Sequence, residues 1–545
     1  MNAAEVTPLE GEPAGTPRLL RISGADAPHN LAELLARTGH PLNTRCGQRG
    51  LCRGCIVELR EGALTDADGQ RYTSGLFRAC RMRIADARAV VIRVPHQASI
   101  RHAPQVSETF LVDVPCTLNP SIPSDGLRDT GFALDLGTTT AVILLVDLNT
   151  GTILSRAGAF NAQIRFGDNV ITRIGVGAVP EARRDMRRAF ITETLRPLLD
   201  KALQRAGRDL SRIAGGVIAG NTTMLHILAD EDTTPLGVAP FQARFLHGRT
   251  ESAAAFGIDR AGLPPDAPIR LLPGISAYVG ADIVAGVQAT GMMLDAAPSL
   301  LVDMGTNGEM VLSSDGRLLA CATAAGPAFE GAGLTSGTRA QAGAISRIRI
   351  SGGEIACETI GSVPVTNDGG ICGSAYIDFL SDARRSGLLR ANGRFDREVW
   401  GHLPEGHRFA DPSGIAFRPA MHQHPRISEL DIAQLLQAKA AIGAGIEILL
   451  SVANTDARRI GRVHLAGGFG MHVDVAHAIA IGLLPGFKPE QVSVVGNTSL
   501  AGALIGLLDR QSLSDMEEFR SRVEIVELNL HPEFEDTFID HLSLP

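Results

Sequence analysis

Residues 131–154, GFALDLGTTTAVILLVDLNTGTIL, decide the fold. An apolar run closes on Asp135, a Gly-Thr turn follows, and a second apolar run closes on Asp147. Asn149-Thr150-Gly151 then turns the chain again. Short apolar runs bounded by turn residues read as hairpin strands. Residues 300–323, LLVDMGTNGEMVLSSDGRLLACAT, repeat the theme: apolar run, Asp303, Gly-Thr-Asn-Gly, second run, Asp-Gly turn, third run. The two aspartates stand 168 positions apart. Between the copies, Ala182–Ala206 has helical periodicity, and Gly216–Asn221 reads as a short buried strand with a Gly-Asn turn. The expected class is α/β, with a duplicated core whose halves run over 129–298 and 299–545 and a ligand cleft between them.

Backbone N–H groups and hydroxyls on a glycine-bearing hairpin can cradle phosphate oxygens. That nominates Gly137, Thr138 and Thr139 in the first copy, and Gly305, Thr306 and Asn307 in the second. Asp135 and Asp303, each at a strand end, can hold Mg2+ through waters. Asp282, in Gly-Ala-Asp-Ile, can orient water or Mg2+, or cap a helix. Glu309 and Glu330 are further acidic candidates. One Asp-x-Gly-Thr is weak evidence; two in a repeated frame are specific. No G-x-x-x-x-G-K-[ST] occurs, which disfavours a P-loop. Downstream, VHLAGGFGMHVDVAHAIAIGLLPG (463–486) sets Gly467, Gly468 and Gly470 between a strand and a helical run. Such glycines let the backbone approach a flat adenosine, or let strand and helix pack tightly.

A different chemistry precedes this core. Four of the eight cysteines fall at Cys46, Cys52, Cys55 and Cys80, and the rest are scattered. One Gly- and Arg-rich loop supplies the first three, and Cys80 follows 25 positions after Cys55. An iron–sulfur cluster needs four convergent thiolates, and glycines let the loop wrap closely and donate N–H groups to sulfur. The spacing is C-x5-C-x2-C, one residue longer in its first gap than the plant-type ferredoxin pattern. A zinc site made of four cysteines usually has two Cys-x-x-Cys pairs, and only one is present. A [2Fe–2S] cluster is therefore expected, in a small domain over 1–98. A polar, Pro-containing linker follows at 99–128, with one β-like run at Phe110–Val114. Arg45, Arg49, Arg53, Arg78, Arg81 and Arg83 surround the cysteines, as solvated surface or as a docking rim for an acidic redox partner.

The order of two phosphate hairpins and a glycine loop resembles the acetate and sugar kinase, heat-shock cognate and actin superfamily of ATPases. Further segments sharpen this: NAQIRFGDNVITRI (161–174), AGNTTMLHIL (219–228), SAYVGADIVAG (276–286), AAGPAFEGA (324–332), GICGSAYID (370–378), LLQAKAAIGAG (435–445) and VGNTSLAGA (495–503). Behind a ferredoxin-type domain, the series resembles the reductive activators of corrinoid proteins from about residue 18 onward. The resemblance implies a small α+β β-grasp ferredoxin domain ahead of an RNase H-like (actin/sugar-kinase-type) ATPase core. It implies an ATP-hydrolysing enzyme that returns cob(II)alamin to cob(I)alamin for methyl transfer. The implied cofactors are a [2Fe–2S] cluster, ATP and Mg2+. The implied partners are a corrinoid protein of a methyltransferase system and an external low-potential electron donor, and a homodimer is expected. Asn221 and Gly326 lie in matching segments and join the expected nucleotide contacts.

A plant-type cluster sits at about −400 mV. An uphill gap of ~100–200 mV costs roughly 2–5 kcal/mol per electron, which coupling to ATP can offset. One position departs from the family: Asn169 stands where a carboxylate is expected, with Asp168 just before it. His226, alone beside apolar residues, reads as structural or as a nucleotide or partner contact, and Phe329 as core. A sugar or acyl kinase would share the ATPase fold without needing four cluster-spaced cysteines. An ATP-dependent activator of an acyl-CoA dehydratase or reductase would carry its cluster at a subunit interface of the ATPase fold instead.

Bulk properties agree. A chain of 545 residues exceeds one hydrophobic core, and 44% apolar with 20% charged residues is a globular composition. Only 4% aromatic residues and a net charge of −8 give no footprint for nucleic acid. Charge is uneven, since residues 1–98 hold thirteen Arg, no Lys and ten acidic residues, a net of +3. No run reaches about 18 uninterrupted apolar residues, so no membrane span is expected. The first thirty residues lack the basic start and apolar core of a signal peptide. The cytoplasm is the expected compartment.

Overall fold

The computed structural model describes residues 5–8, 18–23, 29–38, 40, 42, 44, 48, 50, 55–85, 89–94, 98, 109–111, 116–167, 169–338, 340–366, 369–411, 414–468 and 470–545. The chain forms two compact units, Met1–Ala103 with Ala162–Met186, and Pro104–Asn161 with Arg187–Pro545.

In the first unit a five-stranded antiparallel sheet runs in the order Glu5–Pro8, Arg18–Ser23, Val90–Val94, Ile56–Glu61, Gly75–Arg78. Helix Leu31–Arg37 starts on a capping box between Asn30 and Glu33, which satisfies two of its free N–H groups. Its apolar residues Leu31, Leu34 and Leu35 join Leu20, Ile22, Val57 and Ile92 in one core. The unit is thus α+β. The segment Ala162–Met186, within the first ATPase half by sequence, packs as part of this unit. The Thr44 hydroxyl donates to the Arg165 carbonyl at 3.4 Å, and Arg173 is buried, donating to the Gly167 carbonyl at 2.9 Å.

The second unit carries two six-stranded sheets built on one plan. The first has the order Ile153–Phe160, Thr140–Asp147, Thr130–Leu136, Ile213–Gly220, Pro268–Leu271, Arg249–Ser252. The second has Arg317–Thr323, Gly308–Ser314, Ser299–Met304, Arg462–Ala466, Val492–Gly496, with Glu524–Ile525 beyond Arg317–Thr323. In each, three antiparallel strands are followed by two parallel ones. The Asp135 and Asp303 strands hold the same place in both, and the duplication read from the sequence is a duplication of sheets.

Strand Thr130–Leu136 is buried at every residue but Asp135, as a central strand covered on both faces should be. Helices Ala281–Thr290 and Thr498–Leu508 cross at very short range. A Cβ on Gly502 would lie 2.2 Å from the Ala285 carbonyl oxygen, so only glycine fits there. Helical structure over 182–206 is interrupted by a π turn at Phe190–Leu195. Pro197 lies just beyond and has no N–H to return to the Glu193 carbonyl.

Helix Glu429–Val452 is long and apolar enough to cross a bilayer, but 78% of its apolar window is buried inside the protein. It is the core helix of the second sheet. Its one Lys, Lys439, is buried and donates to the Ser543 carbonyl at 2.7 Å, with burial pressing it down to about 8.

The expected linker at 99–128 is structured from Thr109 onward wherever it is described. Leu111 N–H donates to the Val495 carbonyl at 2.9 Å, and Asn119 and Ser121 N–H groups to Leu508 and Leu507 at 2.9 Å each. Of the β-like run at 110–114, Phe110 forms a bridge with Gly496; residues 112–115 lie outside the described residues.

Candidate functional site

Asp135 and Asp303 end equivalent strands, and in each sheet the neighbouring parallel strand closes with a glycine pressed against the residue after the aspartate. A Cβ on Gly220 would lie 2.5 Å from the Leu136 carbonyl oxygen, and one on Gly467 2.3 Å from that of Met304. Gly467 also has φ 94°, which disfavours any side chain. Packing, one of the two uses its motif allowed, therefore requires glycine here. Gly468 is exposed, and Gly470 opens the 3-10 turn Gly470–His472; Phe469 lies outside the described residues.

The first hairpin turns tightly at Gly137, where a Cβ would lie 2.7 Å from the Thr140 carbonyl oxygen. Asn221 caps helix Thr222–Leu228 by accepting from Met224 N–H at 3.0 Å, and its amide donates to the Thr138 hydroxyl at 2.8 Å. That ties the first hairpin to a helix start. Gly280 sits beside it, because a Cβ there would meet Asn221 Cα at 2.6 Å and Asp282 Oδ1 at 2.7 Å. In the second hairpin, Gly305 N–H closes on the Asn307 carbonyl at 3.0 Å, and the Thr306 hydroxyl donates to Glu330 Oε1 at 3.1 Å. Gly326 has φ 74° with open space where a side chain would stand. Thr139 is half-buried beside them.

Four carboxylates share this region. Glu309 pairs across the hairpin with Asp303 and is buried. Asp282 lies in the first turn of its helix, accepting from Ile283 N–H at 3.0 Å, while Gly280 occupies the cap position. Asp135 is held by two donors, Asn497 Nδ2 at 2.9 Å and Ser499 Oγ at 2.8 Å. Among the described residues no hydrogen bond reaches the Asp303 carboxylate, and burial, then the charge of Asp135, push it up to about 7. Burial, then the charges of Asp303 and Asp135, push Asp282 up. Burial, then Asp282 and Asp303, push Glu309 well up. Burial raises Asp135 despite its donors.

Such groups favour folding while protonated, and the contribution fades as pH climbs through the folded value. The melting temperature of metal- and nucleotide-free protein should therefore fall as pH rises from 5 to beyond about 7. Asp282→Asn should flatten that fall. A melting temperature that climbs across the window contradicts the repulsive cluster.

Two further assignments are settled by geometry. His226 is buried and neutral: Nδ1 donates to the Thr222 carbonyl at 2.7 Å, Nε2 accepts from Arg244 N–H at 3.0 Å, and burial presses it down to about 4. It is structural, and Phe329 is core. Asn169 caps helix Val170–Gly177 by accepting from Thr172 N–H at 2.8 Å. A cap needs an acceptor oxygen, which amide and carboxylate both provide; Asp168 lies outside the described residues.

In the N-terminal unit, Cys55 and Cys80 come together. Ala79 N–H donates to the Cys55 carbonyl at 3.0 Å, both thiols are buried, and a hydrogen bond from Cys80 holds Cys55 down to about 6. Cys46 and Cys52 lie outside the described residues, as do Arg45, Arg49 and Arg53. Arg78, Arg81 and Arg83 are exposed around Cys80, and Arg81 lies across Gly50, where a Cβ would meet its Nε at 2.2 Å. Among the described residues no three His, Cys, Asp or Glu side chains converge on a metal-sized point.

Missed from sequence were Asn497 and Ser499, whose signal was a Gly-ended strand running through Asn-Thr-Ser into an apolar helix.

Duplicated sheets of this order, with paired Asp-bearing hairpins, define the actin and sugar-kinase class of ATPase folds. Residues 297–545 match the family model for the C-terminal domain of RACo, the ASKHA domain, and residues 130–295 that for the RACo middle region. The chain belongs to the RACo family, the reductive activators of corrinoid proteins. It is 27% identical to the corrinoid activation enzyme RamQ of Eubacterium limosum, over 93% of this chain and 95% of that one. It is 26% identical to the [Co(II) methylated amine-specific corrinoid protein] reductase of Methanosarcina barkeri, over 72% of each. Among solved structures it is similar to a reductive activator for corrinoid,iron-sulfur protein, at 28% identity and TM-score 0.70, covering 96% of this chain and 97% of that one.

Proposed function

We propose that this protein reductively activates a corrinoid protein of a methyltransferase system, returning cob(II)alamin to cob(I)alamin with hydrolysis of ATP. The observation that carries the reading is the buried Cys55–Cys80 pair, in a chain whose remainder matches the RACo family. Two buried thiols brought side by side, with Ala79 N–H tied to the Cys55 carbonyl, suit thiolate ligation, so the residues present fit a cluster. Cys46, Cys52, Cys55 and Cys80 would hold a [2Fe–2S] cluster, which supplies one-electron transfer at low potential. Burial keeps Cys55 and Cys80 from solvent, and the exposed arginines around Cys80 offer positive charge to an acidic partner.

In the second unit, the hairpin N–H groups, those of Thr138 and Thr306 among them, and the Thr138 hydroxyl would bind ATP phosphates. Asp303, to which no donor among the described residues is committed, and Asp282 hold Mg2+ through water, alongside the nucleotide's own phosphates. Mg2+ and nucleotide would relieve the carboxylate repulsion, so binding and charge state are linked. An external low-potential donor supplies the electron, and the protein works as a cytoplasmic homodimer.

The reading is tested by stopped-flow, following loss of the cob(II)alamin absorbance on mixing a cob(II) corrinoid protein with pre-reduced protein. The signal should decay only with MgATP, and more slowly as salt rises, since steering is screened beyond about 8 Å at physiological ionic strength. Decay at the same rate without ATP would refute ATP-driven activation. A rate independent of salt would leave the arginines as solvated surface.

A further inference from the structure

We propose that Thr109–Leu111 is a strap that senses the nucleotide site, acting through the junction Val495–Ser499, with Asn497 and Ser499 as positioning residues for Asp135. This rests on reading the carboxylate cluster as the nucleotide site. The strap adds itself to the edge strand Val492–Gly496 of the second sheet. Leu111 N–H donates to the Val495 carbonyl at 2.9 Å, and Asn497 N–H donates to the Thr109 carbonyl at 3.2 Å. Gly496 makes the approach possible. It has φ 79°, and a Cβ there would lie 2.8 Å from the Thr109 carbonyl oxygen and 3.1 Å from Phe110 Cα.

The same five residues reach both aspartates. Asn497 and Ser499 occupy both oxygens of Asp135. The Gly496 carbonyl accepts from Gly467 N–H at 3.0 Å, and a Cβ on Gly467 would lie 2.9 Å from Asp303 Oδ1. Phe110 packs against Ala289, Ala501 and Ile505, and so against the helix that begins beside Asp282 and the helix that Asn497 caps. The strap thus bears on the residues that brace Asp135 and on the glycine packed beside Asp303. Along the chain the strap begins six residues after Ala103, the end of the first stretch of the N-terminal unit.

Coupling between two sites is reciprocal in binding free energy. In full-length protein, hydrogen exchange read by mass spectrometry should show the peptide containing Thr109–Leu111 slowed at least about 5-fold by Mg2+ and a non-hydrolysable ATP analogue. Ser499→Ala should keep the analogue's protection of hairpins 135–140 and 303–309 while removing that of the strap. Phe110→Ala should weaken analogue binding by the factor the strap loses, and Phe110→Leu, which keeps an apolar anchor, should restore it. Protected hairpins with an unchanged strap would overturn the proposal and leave the nucleotide site standing. Hairpins and strap both unprotected would overturn the nucleotide reading, and the proposal with it.

Discussion

Asp303→Asn should lower ATP hydrolysis by about 10²–10³-fold, or ~2.7–4 kcal/mol, as expected when one group that stabilises developing charge is lost. Among the described residues its carboxylate is the one at the hairpins that no hydrogen bond engages, so its charge is available to Mg2+. Asn keeps shape and volume but cannot supply that charge. Asp135→Asn should cost less than Asp303→Asn, because Asn497 and Ser499 already occupy both of its oxygens. Phosphate release with the corrinoid partner present is the measurement, with iron content and melting temperature as controls that should not fall. Equal hydrolysis in wild type and both variants would show that the hairpins do not bind phosphate.

Cys80→Ser should abolish cob(II)alamin reduction and strip the N-terminal unit of iron while basal ATP hydrolysis continues. Wild-type protein prepared without oxygen should hold about two irons and two sulfides per chain, and give an S = 1/2 signal on reduction. Serine nearly matches cysteine in size, so the buried core of Leu31, Val57 and Ala79 should survive. Stoichiometric zinc in place of iron would discard the cluster assignment.

The two Asp-bearing hairpins were legible because apolar runs, turn glycines and a repeat are all carried by residue type. The approach of Cys55 to Cys80 was legible from four of the eight cysteines gathering between positions 46 and 80. The strap was not. Its hold on Val495 and Asn497 is made by backbone groups, which every residue has, so a polar stretch at 99–128 read as a linker. The packing of 162–186 with the N-terminal unit shows in contacts such as that of Thr44 with Arg165, 121 positions apart and unremarkable singly. Gly467 carried two physical uses, and the 2.3 Å approach to Met304 shows the packing one. Asn169 looked like a departure because a family carboxylate was expected, although capping accepts either oxygen.

The matching strand orders of the two sheets carry a history. If the halves descend from one duplicated unit, Asp135 and Asp303 began as the same residue, and any difference between them was acquired later. One copy is now braced by an amide and a hydroxyl from the opposite half, while the other keeps its charge uncommitted. An ancestral pair of identical halves would have presented two equivalent acids and no direction. Bracing only one of them broke that symmetry, leaving a fixed strut and an unbraced acid where there had been two of a kind.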